Sequence, residues 1–386
     1  MTTRPNLAVL LREWGRLGCV GFGGPPTHIR LLRDLCVTRE RWLSPVEFED
    51  AVAACNLLPG PASTQLAIYC AWRMRGALGA LVGGAAFIVP GLLLILGLAA
   101  LFLGRPPAPV LAAGAGAGSA VAAVAVSTAA SLVPASWRRA GDEGRPTQCR
   151  WTTYLAAGVA GAVALGPWLV LVLLSCGLIE LGLRCAHFRQ GPLSVAPMPF
   201  LATGVVSLGT MASLSWTAFK VGALSYGGGF VIIPLMQNDA VHVNRWMTGA
   251  QFLNAVALGQ ITPGPVVQTV AVVGYAAAGI GGGLLAAAVA FSPSFVFVLV
   301  GARHFELLRS SPATRGFLDG AGPAAIGAIL GSALTLARTL SQPWQFFVLA
   351  VAAVLLLVLR RGVVMTLLVA GLTGIVLVGT GLPLPH

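Results

Sequence analysis

Charged residues are scarce in this sequence. They make up 9% of the 386 residues, while hydrophobic residues make up 56%; about a quarter of the residues in a typical soluble domain are charged. Several apolar stretches approach the ~20 residues needed to cross a bilayer core, and the clear ones are 77–103, 110–134, 167–183, 344–359 and 363–382. A soluble core could not enclose so many of them, so the sequence predicts an all-α polytopic membrane protein.

Lysine is almost missing, since Lys220 is the single lysine among 24 basic residues. Val221 follows it and the glycines of a Walker A phosphate loop are absent around it, so we do not expect this chain to hydrolyse ATP. The net charge of +12 falls in short loops between apolar stretches, without a basic face or arm. Membrane topology therefore explains the charge better than nucleic-acid binding does.

Metal-binding and catalytic groupings are also missing. The seven cysteines all lie in the first half and form no CxxC pair, which indicates neither a zinc site nor a disulfide scaffold. The histidines are expected in loops or at chain ends; they are His28, His187, His242, His304 and His386. We therefore expect that the protein is not an enzyme and that it binds neither a metal ion nor a cofactor. The N-terminus lacks a long apolar run followed by a small-residue cleavage site, so it is interpreted as mature sequence.

What the sequence does contain is an internal repeat, found by shifting the chain by 204 positions. The shift aligns Gly23-Gly24 with Gly227-Gly228, Arg41-Trp42 with Arg245-Trp246, and Pro59-Gly60-Pro61 with Pro263-Gly264-Pro265. About a third of the positions in 18–67 are identical, which indicates a duplication. We divide the chain into a first repeat (1–190), a linking transmembrane segment (191–216) and a second repeat (217–386).

The distribution of arginine predicts that the two repeats are inverted in the membrane. Loop 28–45 holds four arginines and its partner 232–249 holds one, while loop 138–150 holds four and its counterpart near 342–343 holds none. Basic residues favour cytoplasmic loops, so an arginine-rich loop and its arginine-poor counterpart are expected on opposite sides of the membrane. Inverted repeats with broken or re-entrant helix hairpins are typical of secondary transporters.

The two Pro-Gly-Pro turns are the strongest candidate for a substrate site. Two prolines around a glycine break a helix, and broken backbone is tolerated at membrane depth only where it lines protein or a water-filled cavity. The helix that follows each turn presents unpaired N–H groups, which favour an anion. The predicted substrate-binding residues are Gly23, Gly24, Pro59, Gly60, Pro61, Ser63, Thr64, Gln65, Lys220, Gly227, Gly228, Pro263, Gly264, Pro265, Gln268 and Thr269.

Plainer explanations exist for several of these residues and for further candidates. The Pro-Gly-Pro turns could be packing kinks, and the glycine clusters could serve close helix packing. Arg16 aligns with Lys220, and the pair would suit a dianion, although long basic side chains also reach the membrane surface easily. Asn56 and Gln260 precede the turns and could bond either a solute or the broken backbone. Acidic candidates for proton relay are Glu47, Glu49, Asp50, Glu180 and Asp319, although helix capping explains Asp50 and Asp319 more simply.

These motifs resemble the chromate transporter family of oxyanion carriers. The matching text is FGGPPTHI at 22–29, RWLSPVEFEDAVAACNLLPGPASTQLA at 41–67, YGGGFVIIP at 226–234 and RWMTGAQFLNAVALGQITPGP at 245–265. The resemblance implies export of chromate from the cytoplasm across the inner membrane of a bacterium, with sulfate as a similar competitor. We expect the membrane potential or a proton gradient to drive this export. The alternative is a proton-coupled importer of sulfate or a related oxyanion. The expected partners are a small inorganic oxyanion and the lipid bilayer, with no nucleic acid, and a homodimer is left open.

Overall fold

A computed structural model describes residues 5–58, 60–104, 106–142, 144–165, 168–187, 209–225, 230–301 and 311–384. These residues form helices and turns, and no strand occurs among them. Four helical stretches are long and apolar enough to cross a membrane; they are Ala62–Leu103, Ala108–Asp142, Val266–Gly301 and Pro312–Arg338. Many large apolar side chains point outward, such as Leu93 at 64% and Leu372 at 63% exposure. An apolar surface of this kind belongs in lipid, so the fold is that of an all-α membrane protein.

The described part of the first half contains seven helices, several of which begin at a proline or a side-chain cap as sequence rules predict. They are α1 (Leu7–Val20), α2 (Pro25–Arg33), α3 (Pro45–Leu57), α4 (Ala62–Leu103), α5 (Ala108–Asp142), α6 (Arg145–Ala160) and α7 (Leu169–His187). A π-helical turn, Asp34–Arg39, extends α2, and another, Gly161–Leu165, extends α6.

The described part of the second half repeats this order. Its helices are α8 (Thr210–Leu224), α9 (Ile233–Gln237), α10 (Gly249–Ile261), α11 (Thr269–Gly301), α12 (Pro312–Arg338), α13 (Pro343–Ala353) and α14 (Val363–Gly379). The first turns of α8 include 210–216, the end of the proposed linking segment; most of that segment lies outside the described residues. The division of the chain into domains therefore stays a prediction.

The duplication extends to unusual backbone conformations. The π-helical turn after α2 has a counterpart in Asn238–Val243 after α9. Arg41 and Arg245 then both adopt a φ of 53°, a left-handed conformation that is uncommon for a residue other than glycine. A capping box also starts each following helix, from Ser44 in α3 and from Thr248 in α10. The two halves therefore share conformation as well as sequence.

Both α4 and α11 contain a sharp reversal. The helix is broken at Arg75 and Gly76 in α4, and at Ala278 and Gly279 in α11. A Cβ placed on Gly79 would lie within 2.2 Å of Ala71 O, so the chain folds back and its two segments pack side by side. The break in α4 agrees with the sequence, in which the apolar stretch 77–103 begins just after it.

The later segments of α4 and α11 pack closely against one another through glycine. A Cβ on Gly84 would meet the ring of Phe295 at 2.5 Å, and a Cβ on Gly283 would meet Leu96 Cδ2 at 2.4 Å. An early residue of each segment therefore faces a late residue of the other. The two equivalent segments run antiparallel.

Candidate functional site

Two helical hairpins make up the start of the first half, and a broken turn forms the tip of each. In the first hairpin, α1 and α2 are joined by 21–24, where Gly23 and Gly24 have φ of 100° and 72°. In the second, α3 and the first segment of α4 are joined by the Pro-Gly-Pro turn, where Gly60 has a φ of 111°. Glycine adopts these angles without the strain that a Cβ would add.

The base of the second hairpin fixes its direction. Glu47, in the first turn of α3, accepts a hydrogen bond of 2.7 Å from Arg73 near the end of the first segment of α4. The two helices are therefore antiparallel, and the Pro-Gly-Pro turn lies at the end remote from this ion pair. About 13 residues of helix, or roughly 20 Å, separate the base from the tip.

A buried histidine joins the two tips of the first half. His28, in α2, is 1% exposed. Its Nε2 lies 2.9 Å from Gly21 O, and its Nδ1 lies 3.2 Å from Ser63 Oγ in the first turn of α4. The glycine-rich turn and the Pro-Gly-Pro turn are therefore in direct contact.

The second Pro-Gly-Pro turn completes the meeting point. Gly264 N–H donates a 3.0 Å hydrogen bond to Gly21 O, so the tips of the two halves touch through backbone. Gln268 Nε2 donates to Ile88 O of α4 at 2.8 Å. A Cβ on Gly91 would lie only 2.1 Å from Pro263 O, so glycine allows α4 to approach this turn.

The first Pro-Gly-Pro turn makes related contacts with the second half. A Cβ on Gly60 would lie 3.3 Å from Gly222 O in α8 and 3.5 Å from Ser294 Oγ in α11. Each Pro-Gly-Pro turn thus packs against a long helix of the other half. The tips form one structure to which both repeats contribute.

Three helix starts converge at these tips without a side-chain cap. They are those of α2 after Gly24, of α4 after Pro61, and of the 3₁₀ turn Val266–Gln268 that leads into α11. The first-turn N–H groups of a helix carry partial positive charge and lack partners within the helix. The start of α4 can therefore offer the N–H groups of Ala62 and Ser63 to an anion, whereas α2 begins with Pro25 and Pro26, which have no N–H.

Several buried polar atoms without a hydrogen-bond partner lie at the tips or within one helical turn of residues that contact them. They include Thr64 Oγ1, Ser225 Oγ, Gln260 Nε2, Gln268 Oε1 and Ser294 Oγ. Leaving one such group unbonded costs about 1–3 kcal/mol, so several of them together need an explanation. A ligand that accepts hydrogen bonds would satisfy the hydroxyl and amide donors among them, whereas Gln268 Oε1 can only accept and would need a donor.

The predicted site residues divide into three sets. The structure brings one set together at the tips: Gly23, Gly24, Gly60, Pro61, Ser63, Thr64, Gln65, Gln260, Pro263, Gly264, Pro265, Gln268 and Thr269. A second set, Pro59, Gly227 and Gly228, lies outside the described residues. In the third set, Arg16 and Asn56 are exposed, and Lys220 is engaged elsewhere.

Lys220 forms an ion pair with Asp239 in the π-helical turn that follows α9. Thr217 also donates to Asp239 Oδ2, at 3.1 Å. The lysine side chain is 18% exposed and the aspartate side chain 7%, so the charges compensate each other within the second half. The role of Lys220 as an anion ligand stays a prediction.

Four residues at the tips were missed by the sequence analysis: His28, Gly91, Ser225 and Ser294. The expectation that His28 lies in a loop or at a chain end is wrong, because His28 lies in α2 and is buried. The repeat alignment pairs His28 with Ile232 and Ser225 with Gly21. Comparing the repeats for shared polar residues could therefore not find them; only the PPTHI text, which starts a helix beside a glycine turn, pointed to this region.

The acidic candidate Glu180 belongs to a separate ion cluster. It accepts hydrogen bonds from Arg150, Tyr154 and Arg184, and Arg184 also pairs with Asp319 at 3.0 Å. The cluster joins α6, α7 and α12 near a small polar cleft. Within the described residues, no group of three His, Cys, Asp or Glu side chains could hold a metal ion.

Fold and site together define a class of protein. Two similar halves bring broken helices to one buried polar centre inside an all-α membrane protein, which is an architecture of secondary transporters. Comparison with known proteins then gives the family. Residues 8–181 and 212–375 match the chromate transporter family, and the chain belongs to that family.

Relatives with assigned names match almost the whole chain. A chromate transport protein of Cupriavidus metallidurans is 31% identical, over 95% of this chain and 91% of the relative. One of Pseudomonas aeruginosa is 28% identical with the same coverage, and a probable one of Synechococcus elongatus is 26% identical over 91% and 89%. These relatives are transport proteins, which confirms that the family is one of transporters and not of enzymes. No solved structure matches the chain.

Proposed function

We propose that the chain is a secondary transporter that exports chromate, a tetrahedral oxyanion, from the bacterial cytoplasm across the inner membrane. One observation supports this most strongly. Uncapped helix starts and unpartnered buried polar atoms from both repeats meet at one place, in a chain whose named relatives are chromate transport proteins.

The chemistry of this centre suits an oxyanion. Chromate oxygens only accept hydrogen bonds, and they need donors on several sides. Hydroxyl groups of Thr64, Ser225 and Ser294 and the amide of Gln260 can donate, and the first-turn N–H groups of α4 add backbone donors. Hydrogen bonds to a charged group are worth about 1.5–3 kcal/mol each, so a few of them would hold the ion without a paired cation.

We infer that the repeats are inverted in the membrane. The arginine-rich loops of one half correspond to arginine-poor loops of the other, and the equivalent segments of α4 and α11 run antiparallel. Hairpins that enter from opposite faces would then place their tips together near the bilayer centre. Rocking of one repeat against the other would expose the tips to each side in turn.

The membrane potential supplies a driving force in the export direction. Moving one charge across 100 mV is worth about 2.3 kcal/mol. A dianion that leaves a cell with a negative interior therefore gains about 4.6 kcal/mol, or about three decades of concentration. Export needs no ATP, whereas import of the same ion would require coupling to protons or other cations.

Purified protein in liposomes tests the function. The vesicles are loaded with chromate, and an inside-negative potassium diffusion potential is imposed. We expect chromate efflux that grows with the potential and slows when the potential is reversed. Efflux that equals that of protein-free vesicles would refute chromate export, and uptake that requires an inward proton gradient would support the sulfate or oxyanion importer instead.

A further inference from the structure

We propose that His28 is a positioning residue whose protonation decides whether the Ser63 hydroxyl can donate to the bound oxyanion. The inference rests on the proposed function, because it assigns a regulatory device to the same site. Both repeats contribute to this arrangement. Gly21 O accepts one hydrogen bond from His28 and another from Gly264 N–H of the second half.

The tautomer of His28 follows from its neighbours. Gly21 O can only accept, so the hydrogen of the neutral ring must be on Nε2, 2.9 Å away. Nδ1 then carries a lone pair and acts as an acceptor. Ser63 Oγ, at 3.2 Å, must donate its hydrogen to Nδ1. While His28 is neutral, the hydroxyl hydrogen of Ser63 is therefore directed at the ring and is not available to an anion.

Protonation reverses the roles of the two groups. When Nδ1 takes a proton from water, it becomes a donor, and Ser63 Oγ must accept from it. The hydroxyl hydrogen of Ser63 then turns away from the ring, toward the start of α4, and can donate to an oxyanion oxygen. The imidazolium also adds a positive charge beside that helix start, so protonation favours an anion in two ways.

The surroundings of His28 explain why the proton and the anion would bind together. Within the described part of the chain, the ring contacts Gly21 O, Ser63 and the Phe87 side chain, whose ring lies edge-on at 5.1 Å; these three groups carry no charge. On the elements packed against the ring, Arg16 of α1 and Arg30 of α2 are exposed, and Glu13 and Arg73 are engaged in ion pairs with Arg12 and Glu47.

A buried imidazolium without a counter-charge is unfavourable. A dianion at the tips would supply that counter-charge. The ring would therefore remain neutral in the free protein and take up a proton when the oxyanion binds.

Titration calorimetry of chromate binding tests the coupling. Purified protein in lipid nanodiscs is titrated between pH 7.5 and pH 8.5, where free chromate is already a dianion, in buffers of different ionisation enthalpy. The variation of heat with buffer gives the number of protons taken up. For the wild type we expect up to one proton per chromate and an affinity that falls by up to about tenfold per unit of pH.

Variants separate coupling from folding. His28→Asn and His28→Gln keep hydrogen-bonding groups but cannot titrate, so each should bind chromate with no proton uptake and with an affinity independent of pH. His28→Gln is included in case the Asn variant does not fold. His242→Asn makes the same change at an exposed position after α9 and should retain the proton uptake of the wild type.

Each result has a defined meaning. Chromate binding by the wild type without proton uptake would overturn the role of His28 and leave the proposed function intact. Proton uptake that persists in both His28 variants would also overturn it. A wild type that fails to bind chromate would refute the proposed function, and this inference with it.

Discussion

Replacing Gly91 with alanine should separate the second Pro-Gly-Pro turn from α4. A Cβ at this position would lie 2.1 Å from Pro263 O and 2.6 Å from Gln268 Oε1. Ordinary contact begins at 3.4 Å, so the turn or the helix must move by about 1.3 Å. The obstacle is backbone, which cannot rotate away as a long side chain can.

The cost follows from overpacking of a tight interior, which is about 1–3 kcal/mol. Gly91→Ala should therefore lower the thermal stability of the purified protein, measured by size-exclusion chromatography after heating. It should also reduce potential-driven chromate flux in liposomes, because the displaced turn carries Gln268 and the start of α11. The methyl group of alanine is already too large for the space beside Pro263 O, so a larger substitution is not needed.

Gly97→Ala provides the matched control on the same helix. A Cβ on Gly97 meets no atom within 4 Å, and alanine favours a helix over glycine by up to about 1 kcal/mol. This variant should be as stable as the wild type or slightly more stable, with unchanged flux. If Gly91→Ala and Gly97→Ala behave alike in both assays, the close contact between α4 and the second turn is wrong.

Two further predictions concern the ion pairs. Lys220→Met leaves Asp239 buried without its cation and should destabilise the protein by about 3–5 kcal/mol. Adding Asp239→Leu should restore most of the lost stability in a thermal-stability assay. A double variant that is no more stable than Lys220→Met would contradict the ion pair. Glu180→Gln removes the negative charge that binds Arg150 and Arg184. The melting temperature should fall, while potential-driven chromate flux should persist. Complete loss of flux in a folded variant would instead support the proton-coupled importer.

The position of the tips could be predicted from the sequence because proline and glycine act locally. Pro61 and Pro265 cannot continue a helix from the residue before them. Gly60 and Gly264 adopt a positive φ, which glycine does without strain. The all-α membrane class was predictable for a similar reason, since it depends on long apolar stretches and few charges. The positions of the two helix breaks could be predicted to one residue because the repeat aligns the two Pro-Gly-Pro turns without a gap.

The contacts between elements could not be predicted in the same way. Gly91 and Ser294 lie inside apolar helices, and nothing near them in the sequence shows that they face a turn about 170 or 230 residues away. The partnership of Lys220 with Asp239 likewise depends on how α8 packs against the π-helical turn after α9. Sequence shows the charge of Lys220, which favours an anion ligand, but it does not show the carboxylate that pairs with it.

Ser294→Ala tests the central claim, that an oxyanion binds between the tips, most directly. The Ser294 hydroxyl is buried, unpartnered and close to Gly60, so it should bond the ion and its loss should weaken chromate binding by roughly tenfold or more. Ser332→Ala is the control, because that serine is equally buried but bonds Ile329 O within its own helix. We predict that chromate affinity, measured by titration calorimetry, falls in Ser294→Ala and is unchanged in Ser332→Ala. Equal affinities in the wild type and both variants would contradict an oxyanion site at the tips.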